Sequence, residues 1–177
     1  MNKIQKKWAE IPLLILIFWL CQATEISLGV LPWGLGSISI FAAILAFISY
    51  SRSWERTTIL AYLISLVASA TAGTKGTLFI VSMVWASLFS KLLSSAFNLE
   101  GRNSFAVLTG WFVLFQKITL WILLNHFARS PTVGLFFVHA FSQILINAII
   151  AWIIYPAFIK WDQYFEHVPE EESRGLA

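Results

Sequence analysis

Few side chains in this sequence have chemical capacity, and the sharpest arrangement among them is His139, Gln143 and Asn147. Successive spacings of four put all three on one face of a helix. Such a stripe can line a small-ligand cavity, or it can hydrogen-bond to a neighbouring helix. Lys117 stands beside Gln116 and separates the charge-free runs 103–116 and 118–128. An ionisable group at that depth pairs with a carboxylate, bonds a neighbouring backbone or snorkels toward the interface. The obvious internal carboxylate is Glu25, which divides the charge-free runs 11–24 and 26–51. Glu25 falls near the outer end of its helix, so its depth matches that of Lys117 only loosely.

Catalysis needs more than this. His126 and His139 are too far apart for a local ligand pair, and HExxH, GxSxG, paired-carboxylate and phosphate-loop patterns are absent. The single cysteine, Cys21, excludes a disulfide framework and a cysteine-based zinc site. Cys21, Arg129 and His139 are the residue types of a membrane transpeptidase and all reach the outer third of the bilayer. No motif surrounds them, however, and a lone cysteine on an apolar helix is ordinarily a small apolar residue. The expectation is a protein that is not an enzyme, with no catalytic, cofactor-binding or metal-binding residue to assign.

The elements that hold these residues follow from composition. The chain has 177 residues, 58% of them hydrophobic and 12% charged, with a mean hydropathy of +0.75. A soluble domain carries about 25% charge, and half of that cannot coat a water-facing surface. Disorder, a coiled coil and an ordinary soluble enzyme are excluded. The net charge of +3 forms no basic stripe, so nucleic acid is not an expected partner. The expected class is an all-α membrane protein of one domain.

A bilayer core about 30 Å thick needs about 20 mostly apolar residues per helix. Charge-free runs and turn signals divide the chain into six predicted spans, at about 10–29, 33–51, 57–73, 77–97, 104–128 and 134–160. Gly29, Pro32, Gly34 and Gly36 break the first long run, and Gly73-Thr74-Lys75-Gly76 reads as a tight hairpin. Residues 98–103 and Arg129-Ser130-Pro131 read as polar connections. The first span follows Lys3, Lys6 and Lys7 and could serve as a signal peptide. Bulky Phe18-Trp19-Leu20 before Cys21 argue against a lipoprotein signal, and a retained helix is expected. Residues 1–160 then form the six-helix bundle, and 161–177, with Glu170-Glu171-Glu172, form a short acidic cytoplasmic tail.

Orientation follows the lysines and arginines. One side holds Lys3, Lys6, Lys7, Arg52, Arg56, Arg102, Lys160 and Arg174, with Lys91 able to snorkel there; the other holds Lys75 and Arg129 alone. Both termini are therefore expected in the cytoplasm. Within the bilayer, small residues let backbones approach. The third predicted span offers Ser65, Ser69 and Gly73, and the fourth offers Ser82, Ala86 and Ser90, so these stripes are expected to pack face to face. The first and sixth spans are bulky nearly all round, and one of them is expected to face lipid or a partner protein.

Six short-looped helices with both ends inside, and no catalytic motif, resemble the rod shape-determining MreD family. The likeness is carried by LVASATAGTKGTLFIVSMVWASLFSKLL (66–93), NLEGRNSFAVLTGWF (98–112) and INAIIAWIIYPAFIKWDQYF (146–165). In that family a small-residue-rich helix passes through a glycine turn into the next span, and the last helix ends in an aromatic-proline cluster. Two features depart from the pattern. Ala68, Ser69 and Ala70 stand where family members commonly carry an intramembrane Asp, and the C-terminal end is mixed and acidic rather than basic. The resemblance implies a non-enzymatic subunit of the bacterial cell-elongation machinery in the inner membrane, binding a single-span MreC-like protein. The alternative is a substrate-binding S component of a vitamin or metal uptake transporter. Such components are of similar size and commonly carry AxxxA on the first helix, which IPLLILIFWLCQAT lacks.

Overall fold

The structure, a computed structural model, describes residues 40–69, 76–97, 101–128 and 133–165, with three earlier helical positions, Pro12, Leu13 and Leu16. Among the described residues it is all-helical. The five helices are α1 (Ile40–Ser51), α2 (Trp54–Ser69), α3 (Gly76–Phe97), α4 (Gly101–Ala128) and α5 (Val133–Tyr164). Three stretches, Gly76–Phe97, Gly101–His126 and Ala140–Tyr164, are long and apolar enough to cross a membrane. The first predicted span apart from Pro12, Leu13 and Leu16, positions 33–39 of the second, 70–72 of the third and the hairpin 73–75 lie outside the described residues.

Three boundaries differ from expectation, each where charged residues belong to the helix end rather than to a connection. α2 begins at Trp54 rather than 57: the Ser53 carbonyl accepts the Thr57 N–H at 2.9 Å, and Glu55 sits in the first turn, where an acid complements the helix dipole. α4 begins at Gly101, whose φ of +83° is a left-handed conformation that favours glycine. α5 runs to Tyr164, and Trp161, Asp162 and Phe165 pack against the protein, so the solvated tail does not begin at 161.

α1 is the centre of the bundle and touches each of the other four helices. Every residue from Phe41 to Ser49 is at most 3% exposed. Ala42, Ala43 and Ala46 let neighbours come close, as a helix ringed by four others requires. Phe47 stacks on Phe158 of α5 with ring centroids 4.5 Å apart and meets Phe105 of α4 edge-on at 5.9 Å. Aromatic side chains thus join α1, α4 and α5 at one end.

The C-terminus of α1 is buried, so its orphan carbonyls need donors from elsewhere. The Ile48 carbonyl takes the Arg52 N–H at 3.0 Å and a second donor, Thr57 Oγ1 of α2, at 3.3 Å, while Ser94 Oγ of α3 donates to the Ser49 carbonyl at 3.4 Å. The Ser51 hydroxyl donates to the Phe47 carbonyl at 2.9 Å. α2 and α3 therefore dock on α1 partly by capping it. Their small-residue stripes lie inside the fold: Ser65, Ser82, Ala86 and Ser90 are fully buried and Ser69 is half-buried. Gly76 keeps the two helices close, since a Cβ there would come 3.4 Å from the Ser69 Cβ. Gly73 lies outside the described residues.

Candidate functional site

Of the polar residues Lys117, Gln143 and Asn147, Asn147 is the most deeply placed, at 1% exposure. Its Nδ2 donates to the Gln143 carbonyl of the same helix at 2.7 Å. Gln143 is half-buried, and Gln116 of α4 is buried. His139 is helical within α5, but its side chain lies outside the description, as does Glu25 altogether. Lys117 is half-buried. Among the described residues no carboxylate pairs with it, and no cluster of histidine, cysteine and carboxylates is suited to hold a metal ion.

The strongest polar feature is one that the sequence reading did not single out. Arg52 Nη2 lies 2.6 Å from Asp162 Oδ1, with the two side chains 4% and 2% exposed. Arg52 follows the last residue of α1, where a cation complements the helix dipole. Its Nη1 also donates to Ser51 Oγ at 3.1 Å. The hydroxyl of Tyr155 neighbours Tyr50 and Asp162 in the same buried cluster. In the sequence Arg52 and Asp162 look like ordinary helix-end charges. The available signal was an acid six residues beyond Pro156, in a helix that otherwise ends in Lys160 and aromatic residues. A buried pair of this kind fixes which element meets which, because losing one partner strands the other charge in a low-dielectric interior.

A second arginine acts on the same helix. Pro156 lies inside α5, has no N–H, and so leaves the carbonyl four residues back, that of Trp152, without its helical donor. Arg102 Nε of α4 donates to that carbonyl. Its guanidinium carbon lies 3.4 Å from the centroid of the Trp152 ring, a cation–π contact. The Trp152 indole N–H in turn donates to Asn103 Oδ1 at 3.0 Å. A neighbouring helix thus satisfies the backbone group that proline frees, which is how proline is tolerated in membrane helices. The pair Pro156 and Trp152, four apart, was the signal in the sequence.

One helical turn further along this face, α4 and α5 enclose a groove of about 300 Å³. Val107, Gly110, Trp111 and Leu114 line one wall, and Phe141, Ile144, Leu145 and Ala148 line the other. All of these are apolar. Gly110 forms part of the floor, where a Cβ would sit 3.4 Å from Ile144 Cγ2 and 3.8 Å from Ala148 Cβ.

Together these features define an all-helical membrane protein in which charged groups join helix ends and the outward faces are apolar. No family model, curated protein or solved structure matches the chain.

Proposed function

We propose that this chain is a non-enzymatic integral-membrane subunit that serves as a scaffold for partner membrane proteins. It has six spans and both termini in the cytoplasm, and it resides in the bacterial inner membrane. The assembly it serves is the cell-elongation machinery, with a single-span MreC-like protein as partner. This particular assignment rests on the resemblance of 66–93, 98–112 and 146–165 to the MreD family. The observation that supports a scaffold is the use of charge: the buried Arg52–Asp162 pair joins α1 to α5, and α5 carries no charged residue between Ala140 and Ile159. The small-residue stripes are occupied inside the fold, so the partner surface falls to the outward ridge of α5, where Ile149 is 51% and Ile153 58% exposed. In bilayers such contacts gain from van der Waals packing rather than from a hydrophobic drive.

The test is depletion in a rod-shaped bacterial host. Cells that round up on depletion support the reading, and cells that stay rod-shaped sink it. Purified protein that retains a water-soluble small molecule, rather than lipid, stoichiometrically would favour the transport-subunit alternative instead.

A further inference from the structure

We propose that the α4–α5 groove is a binding site for one anionic phospholipid, with an acyl chain in the groove and the phosphate on Arg102. The groove and Arg102 form one continuous surface. Asn103, Val107, Gly110 and Leu114 recur at helical spacing on α4, and Phe141, Leu145, Ala148 and Trp152 do so on α5. The polar end of this surface is Arg102, Asn103 and Trp152, and the remainder is apolar.

Depth and length both fit a lipid. The apolar stretch Gly101–His126 has 26 residues, about 39 Å of helix. That exceeds a hydrocarbon core of about 30 Å, so Arg102, at its first turn, stands at the boundary of the head-group layer, with Trp152 and Ile153 just inside it. From Arg102 to Leu114 the helix rises about 18 Å, close to the depth of one leaflet, about 15 Å. The groove therefore runs from a head group to the bilayer middle, as an acyl chain does.

Charge selects the head group. Arg102 uses Nε on the Trp152 carbonyl and its cationic face on the indole ring. Both Nη groups make no hydrogen bond to described residues, and they are the guanidinium edge that forks onto a phosphate. The Trp152 ring and carbonyl hold the guanidinium in place, so little side-chain freedom is lost when an anion arrives. Basic pockets between membrane helices are suited to anionic head groups on this same physical ground.

The experiment is native mass spectrometry of the full chain, delipidated in detergent and titrated with phosphatidylglycerol and phosphatidylcholine of matched acyl chains. Both lipids bring a phosphate to Arg102, but the choline of phosphatidylcholine sets a second cation beside the guanidinium, so retention of phosphatidylglycerol should exceed that of phosphatidylcholine severalfold. The variant R102L/P156A removes the cation while returning an N–H to the Trp152 carbonyl, and the preference should fall to parity. Gly110→Leu fills the groove, leaves Arg102 in place, and should weaken retention of both lipids severalfold. Equal retention of the two lipids by the unmodified protein would overturn the proposal. So would a preference that survives R102L/P156A, or undiminished retention in Gly110→Leu. A photo-crosslinker at Val107 that captures a protein helix or a second copy instead of lipid would overturn it as well.

Discussion

Arg52 and Arg102 both reach α5, yet they do so in opposite ways. Arg52 is buried and meets a charge, Asp162, at 2.6 Å. Arg102 lies at the rim and meets a carbonyl and an aromatic ring of Trp152. The first contact fixes the identity of the neighbour: an uncompensated charge in the interior is far more costly than the pair is favourable. The second repairs a local defect made by Pro156 and leaves part of the guanidinium available. One arginine therefore belongs wholly to the fold, and the other is shared between the fold and its surroundings. Between them they hold α5 at Trp152 and at Asp162, on either side of Pro156, and so set the ridge that α5 presents outward.

This contrast can be broken most severely at Asp162. Asp162→Ala should destabilise the protein by about 3–5 kcal/mol, the penalty of stranding a buried arginine. The double variant R52L/D162L should recover most of that loss. Unfolding free energies measured in bicelles by steric trapping would test both, and equal losses in the single and double variants would refute a charge-stranding origin. Next in size is Arg102→Leu, expected to cost about 1–3 kcal/mol because the Trp152 carbonyl loses its donor. Adding Pro156→Ala supplies the missing N–H and should restore much of this. Additive losses in that double-mutant cycle would show that Arg102 and Pro156 do not act on the same carbonyl.

Smaller effects sharpen the comparison from the polar stripe and the groove. Asn147→Leu should cost about 1 kcal/mol, in line with hydrogen bonds inside membrane bundles. It should leave partner binding intact; a folded Asn147→Leu protein that no longer assembles would give the stripe a recognition role. Gly110→Ala should change stability by less than about 1 kcal/mol, since the added methyl meets ordinary contacts and helix propensity favours alanine. A large loss in thermal midpoint would mean that the floor of the groove is tighter than 3.4 Å implies.

The helices were legible in the sequence because charge and turn residues are scarce and mark helix ends; α3 and the start of α5 fall within one residue of their expected positions. The interior was not. In water, burial is written as a pattern of apolar and polar residues, but in a bilayer both faces of a helix are apolar. Hence nothing in the hydropathy of Phe41–Ser49 distinguishes the central α1 from the outward-facing α5. The small-residue stripe did carry information, and Ser65, Ser82, Ala86 and Ser90 lie inside. Lys117 drew attention as an isolated charge, yet the pair that organises the structure is Arg52 with Asp162. Those residues are 110 positions apart, and no local spacing announces such a meeting. The Arg102 contact was more nearly readable, because a proline in a helix always frees the carbonyl four residues earlier.

We propose that α5, held at Trp152 and Asp162 by two arginines, offers its outward ridge to a partner in the membrane. A photo-crosslinking residue at Ile153, in cells that co-express the single-span MreC-like protein, tests this most directly. The account predicts one discrete adduct of one chain with one partner, lost when the crosslinker is moved to the buried Ala151. Crosslinking at Ile153 to lipid alone, with the partner present and the chain folded, would contradict it.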